Sequence, residues 1–188
     1  MVAGATIGAV LGVGLLGAAP AGAASVINVN TTVDSGTVTA ANCTPGAEVA
    51  NSCNLRDALD EAAAIGDTMI NLPDPNTIGG SGHIYPVLSS VGELLVTDAG
   101  HTVTITGTSG QSSTILQMQG APVTNRVLHV ASGTTADITG VTVEGGVITG
   151  TGPGGGGILS DGTMNLSSST VTGNSSANSG GGVYLDGA

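Results

Sequence analysis

The chain has 188 residues, with 33 Gly, two Tyr and neither Trp nor Phe, so a single-domain core has to be built from Val, Ile, Leu, Met, Ala and Thr. That composition suits thin, regular layers of small β-formers better than a few large anchors. Thirteen acidic residues stand against two basic ones, Arg56 and Arg126, and the net charge of −11 argues against nucleic acid and anionic membranes as partners.

Residues 1–24 hold no charged side chain, and their apolar centre runs from Ile7 to Leu16. Ala21-Gly22-Ala23 follows as a small-x-small cleavage pattern, so 1–24 reads as a signal peptide, although it lacks a basic start. A retained membrane anchor is the alternative, weakened by Pro20 and the Gly/Ala content. Membrane contact is expected only through an uncleaved N-terminus or through an anchor beyond residue 188. The expected location is secreted or cell-surface.

Ser25-Val26-Ile27-Asn28-Val29-Asn30 predicts a first strand, and 34–52 a polar, Gly/Pro-punctuated loop. Cys43 and Cys53 bracket part of that loop. In an oxidising compartment so close an even pair is most simply a local disulfide, with two buried thiols as the other reading. Leu55, Ala58, Leu59, Ala62 and Ala63 fall on one helical face. Ser52 or Asn54 can cap that helix, Asp57 and Asp60 suit its positive end, and Gly66 stops it. Thr68-Met69-Ile70-Asn71-Leu72 is the next strand.

From residue 84 onward short strands alternate with Gly/Ser/Thr/Asn turns and no helical period intervenes. The expected strands are Glu93–Val96, Thr102–Thr106, Thr114–Met118, Arg126–Val130, Ala136–Val143, Gly157–Leu159, Asn165–Thr172 and Gly182–Leu185. Gly155-Gly156-Gly157-Ile158-Leu159-Ser160-Asp161-Gly162 returns, lightly edited, as Gly180-Gly181-Gly182-Val183-Tyr184-Leu185-Asp186-Gly187. Thr142-Val143-Glu144-Gly145 likewise returns as Thr170-Val171-Thr172-Gly173. A unit of this length cannot bury its own apolar face and must stack on its neighbours.

Parallel strands without helical crossovers then require a chain that winds as a coil. The expected fold is an all-β, right-handed parallel β-helix with one short N-terminal capping helix. Residues 25–83 would be its cap region and 84–188 its coils. Ile138, Val141 or Val143 should align with Leu166, Ser169 or Val171, and Ile158 with Val183. Gly156, Gly157, Gly181 and Gly182 are expected at corners where a β-carbon would collide with the coil below. The last copy has nothing to stack on, so the expectation is a solenoid truncated at its C-terminus.

Cys53-Asn54-Leu55-Arg56-Asp57-Ala58-Leu59 resembles the Cys-Ser-Leu-Arg-Glu-Ala signature of exported bacterial proteins, the CSLREA domain, with Asn for Ser and Asp for Glu. The Gly-Gly-Gly-aliphatic and Thr-Gly-Asn segments resemble repeats of pectin-lyase-like β-helices and of polymorphic outer-membrane proteins. The resemblance covers about residues 26–188. It implies an exported or surface-displayed β-helix, and it makes Leu55, Arg56, Asp57 and Ala58 part of a structural motif. It implies no settled activity.

Because that fold also hosts polysaccharide lyases and hydrolases, catalysis has to be weighed. Arg126 reads as a solvated charge or a ladder end. Asp137, Glu144, Asp161 and Asp186 fall on different faces of the coil, short of the convergent acids a hydrolase needs. Asp161 and Asp186 stack as turn residues, with a weakly bound Ca2+ as the sharper alternative. His83, His101 and His129 read as structural or solvated. No catalytic, cofactor or metal residue is assigned. The expected function is structural or adhesive display, or binding of carbohydrate or surface proteins. The alternative is the N-terminal part of a polysaccharide lyase or glycoside hydrolase.

Overall fold

A computed structural model describes residues 23–121 and 123–186. The expected leader over 1–24 lies almost wholly outside the described residues. In chain order the elements are β1 (Ser25–Asn28), α1 (Leu55–Ile65), β2 (Thr68–Leu72), β3 (Ile84–Leu88), β4 (Leu94–Val96), β5 (Thr102–Gly107), β6 (Ile115–Gln119) and β7 (Leu128–Val130). They continue as β8 (Thr135–Thr139), β9 (Thr142–Glu144), β10 (Val147–Ile148), β11 (Ile158–Ser160), β12 (Thr163–Ser167), β13 (Thr170–Thr172), β14 (Ser175–Ser176) and β15 (Val183–Leu185).

Every strand pairing is parallel, and the chain is a β-solenoid of about three turns. Sheet A runs β1-β2-β5-β8-β12, sheet B runs β3-β6-β9-β13 and sheet C runs β4-β7-β11-β15. A two-stranded sheet D, β10-β14, is inserted between B and C in the last two coils.

The strands form where β-branched residues alternate with small polar ones, because each sheet buries one face and wets the other. Inward positions make continuous apolar ladders. Ile27, Ile70, Ile105, Ile138 and Leu166 are in register in sheet A. Tyr85, Leu116, Val143 and Val171 follow in sheet B. Leu94, Leu128, Ile158 and Val183 follow in sheet C. The stacking expected for Ile138, Val143 and Ile158 is therefore the observed register. Outward positions make polar ladders: Asn71 donates to Asn28 at 3.0 Å and Asn165 to Asp137 at 2.7 Å.

Two long expected strands are each divided. Ala136–Val143 breaks at Gly140 and Asn165–Thr172 at Ser168, which take φ of 70° and 46°. These residues are equivalent in adjacent coils, and the left-handed backbone turns the chain from sheet A to sheet B. Ser168 does this with a side chain, so periodicity alone gave no warning of the corner.

In the Gly repeat, the first member of each triplet takes the left-handed conformation, Gly155 at φ 77° and Gly180 at φ 65°. A β-carbon on Gly156 or Gly157 would run into the backbone of the next coil, at 2.7 Å from Gly181 O and 2.6 Å from Gly182 O respectively. Gly181 and Gly182 make only ordinary contacts of 3.4 Å. The collision expected at all four positions thus applies to the first triplet alone, and it is with the coil that follows, not with the coil below.

Replacing Ile105 by Ala, in the middle of the sheet A ladder, should cost about 2–5 kcal/mol. The same truncation at half-buried Leu166 should cost less than half of that. Urea unfolding of the two variants checks this, and equal losses would contradict a ladder buried by neighbours on both sides.

Candidate functional site

The Cys53–Leu59 segment supplies the machinery that closes the first coil. Cys53 is bonded to Cys43, with Cα atoms 4.9 Å apart. Asn54, and not Ser52, caps α1: its side-chain oxygen accepts from the Asp57 N–H at 2.9 Å. Asp57 in turn accepts from the Thr39 N–H at 2.9 Å and from Asn54 Nδ2 at 3.0 Å. Leu55, Ala58, Leu59 and Ala62 are buried, whereas Ala63, expected on the same face, is exposed. Gly66 ends the helix at φ 87°.

Arg56 reaches furthest. Its Nε and Nη2 donate to the Asp34 carboxylate at 2.8 and 3.0 Å, and its Nη1 and Nη2 donate to the carbonyls of Glu93 and Gly92 at 2.7 and 2.9 Å. Asp34 also accepts from the Leu88 N–H at 2.7 Å. Alternation along β3 aims that N–H away from β6, because the neighbouring parity bonds β6 through His83 O and Ile115 N–H at 2.8 Å. Pro86, of the same parity as Leu88, has no N–H to leave unpaired. The open edges of β3 and β4 are thus met by Pro86, Asp34 and Arg56. The segment reads as structural down to its charged atoms.

A second cluster lies on the outer face of sheet C, and the sequence reading missed it. Arg126 is not a solvated charge: its side chain is 11 % exposed, Nη1 donates to Glu93 Oε2 at 3.1 Å, and Nη2 donates to the Pro153 carbonyl at 3.2 Å. His129 Nδ1 lies 3.0 Å from Glu93 Oε1, and Nε2 lies 2.9 Å from Asp161 Oδ2. The three residues run diagonally across three coils, because Leu95, His129 and Leu159 are in register and Glu93 and Asp161 sit two positions to either side. Leu95 and Leu159 flank the imidazole in its ladder column. The other expected acids are apart from it: Asp137 is in β8, Glu144 is in β9 and holds Gln117, and Asp186 follows Asp161 in the next coil.

Beside this cluster is a cleft of about 570 Å³ between the cap and sheet C, bordered by Val38, Leu59, Asp60, Glu93, Leu95 and Asn125. Val38 and Leu95 are 47 % and 41 % exposed there. Burial raises the Asp60 carboxyl above the usual range, against the opposing pull of the Arg56 charge.

The remaining histidines are local. His83 Nδ1 lies 2.8 Å from Asp74, and His101 Nδ1 lies 3.6 Å from Asp67. Among the described residues no group of three or more His, Cys, Asp or Glu side chains could hold a metal ion. No described helix is long and apolar enough to cross a membrane. No family model matches the chain, and no curated protein or solved structure matches it.

Arg56→Met should destabilise the protein by about 3–5 kcal/mol, since it leaves the buried Asp34 carboxylate without its partner and two carbonyls without their donor. Thermal or urea unfolding measures this, and a loss below about 1 kcal/mol would show that the clamp is dispensable.

Proposed function

We propose that the chain is an exported or cell-surface β-solenoid module, of the CSLREA type in its cap, that binds an extended carbohydrate without processing it. One observation carries the reading: an open cleft and a polar cluster form one continuous strip along sheet C. Exposed Val38 and Leu95 offer surface to the apolar faces of sugar rings, while Asp60, Glu93 and Asn125 offer hydrogen-bonding groups to hydroxyls. Coils spaced about 4.8 Å apart repeat such groups along the rod, which suits a polymer better than a small molecule. Export is supported by the leader-like run 1–24 and by the Cys43–Cys53 bond, which suits an oxidising compartment. The low count of basic residues disfavours polyanionic ligands.

A hydrolytic reading has one observation in its favour, since Glu93 and Asp161 flank His129 beside the cleft. A glycosidase, however, needs a carboxyl that carries a proton to the leaving group. Glu93 instead accepts from the Arg126 guanidinium, and both carboxylates face a ring nitrogen of His129.

Binding of the chain from residue 25 onward to a panel of neutral plant, fungal and bacterial polysaccharides tests the proposal. Retention should be seen for at least one polymer, should fall more than about tenfold in Leu95→Asp, and should release no new reducing ends. Absence of retention across the panel would sink the binding reading, and steady release of reducing ends would replace it with the hydrolytic one.

A further inference from the structure

We infer that His129 is a proton-operated clasp joining three successive coils, and that its deprotonation releases Asp161 and keeps Glu93. Both ring nitrogens lie within hydrogen-bond distance of a carboxylate oxygen, at 3.0 Å from Glu93 and 2.9 Å from Asp161. A carboxylate can only accept, so only the doubly protonated ring satisfies both contacts. When the ring loses one proton, one nitrogen presents a lone pair to a carboxylate and that contact becomes repulsive.

The two arms are not equivalent. Glu93 is fixed by Arg126, whose side chain is itself mostly buried and whose Nη2 is held by the Pro153 carbonyl. Asp161 Oδ2 lies 2.9 Å from His129 Nε2 at the turn before β12; its side chain is 34 % exposed against 29 % for Glu93, so the difference between the arms is the Arg126 bond that Glu93 has. The proton therefore leaves Nε2, Nδ1–H stays on Glu93, and the Asp161 carboxylate swings out to water. The charged and titratable groups around the ring are Glu93 from the β4 side, Arg126 ahead of β7, and Asp161 after β11. Asp186 stands one coil further on, and Asp60 faces Glu93 across the cleft. Leu95 and Leu159, above and below the ring in its column, carry no charge.

Because both contacts need an N–H on the ring, the link to Asp161 is made by the doubly protonated imidazole at acid pH and is absent from the neutral ring at alkaline pH. Its loss frees the Asp161 side chain, while the turn that joins sheet C to sheet A stays tied to the preceding coil through Asp161 N–H to Val130 O at 2.9 Å.

Thermal melts of the wild type, His129→Gln and Asp161→Asn at about pH 5 and about pH 8 test this, with His83 and His101 common to all three. The wild type should melt about 2–4 °C above His129→Gln at the acid pH, and that gap should at least halve at the alkaline pH. The amide introduced by Asp161→Asn can donate to a neutral ring nitrogen, so the advantage of that variant over His129→Gln should not shrink in this way. Long-range proton–nitrogen spectra of the wild type provide a readout that needs no variant to fold. They should show both His129 nitrogens protonated at the acid pH and Nδ1 alone at the alkaline one. A pH-independent gap between wild type and His129→Gln, a parallel loss in Asp161→Asn, or an Nε2-protonated neutral ring would each overturn the clasp.

Discussion

A coil of this chain cannot keep its inner face from water without the coils before and after it. Everything else in the structure answers that constraint. It sets the parallel register, because the apolar ladders of the three main sheets are continuous only if equivalent residues of successive coils lie side by side. It makes small β-formers sufficient, since each rung needs one Ile, Leu or Val and no large aromatic anchor. It also creates a problem at the first coil, where strand edges and an apolar layer would otherwise meet water. The segment from Thr31 to Leu59 solves it together with β1 on sheet A, placing α1 over the coil and Asp34 and Arg56 on the edges of sheets B and C.

The solenoid was legible because its last two coils repeat closely. Val143 to Val171 and Ile138 to Leu166 are both 28-residue steps, and the Gly triplets advertise the corner between them. Earlier coils are longer and unequal, with steps of 35 from Ile70 to Ile105 and 33 from Ile105 to Ile138. Their register could not be counted out from the chain. That is why the Glu93–His129–Asp161 diagonal stayed hidden: its members are 36 and 32 residues apart and share no motif. Once Leu95, His129 and Leu159 are known to form one outward column, an acid two positions before and another two after become neighbours of the imidazole. Arg126 was misread for the same reason, since its partner Glu93 belongs to the coil below and its carbonyl acceptor to the loop above.

The two charged clusters divide the labour. Arg56 and Asp34 are almost wholly occupied with backbone groups and with each other, and so belong to folding. Arg126, Glu93, His129 and Asp161 occupy the outer surface, beside an open cleft with exposed aliphatic side chains. The proposed binding of a polymer rests on this one mixed strip among small polar ladders. The strip crosses coils rather than following one strand, so any ligand lying on it depends on the same register that buries the core.

The fold and the proposed binding both rest on that register, and paired cysteines test it most directly. Thr104 and Asp137 face outward and are direct partners in adjacent coils, whereas Thr104 and Asn165 occupy the same column two coils apart. Strand spacing of about 4.8 Å puts the first pair within disulfide reach and the second, at about twice that, beyond it. Mild oxidation of Thr104→Cys/Asp137→Cys should give a mapped cross-link in high yield, with the Cys43–Cys53 bond intact. Thr104→Cys/Asn165→Cys should stay reduced, and a cross-link in that pair, or none in the first, would contradict the stacked-coil account.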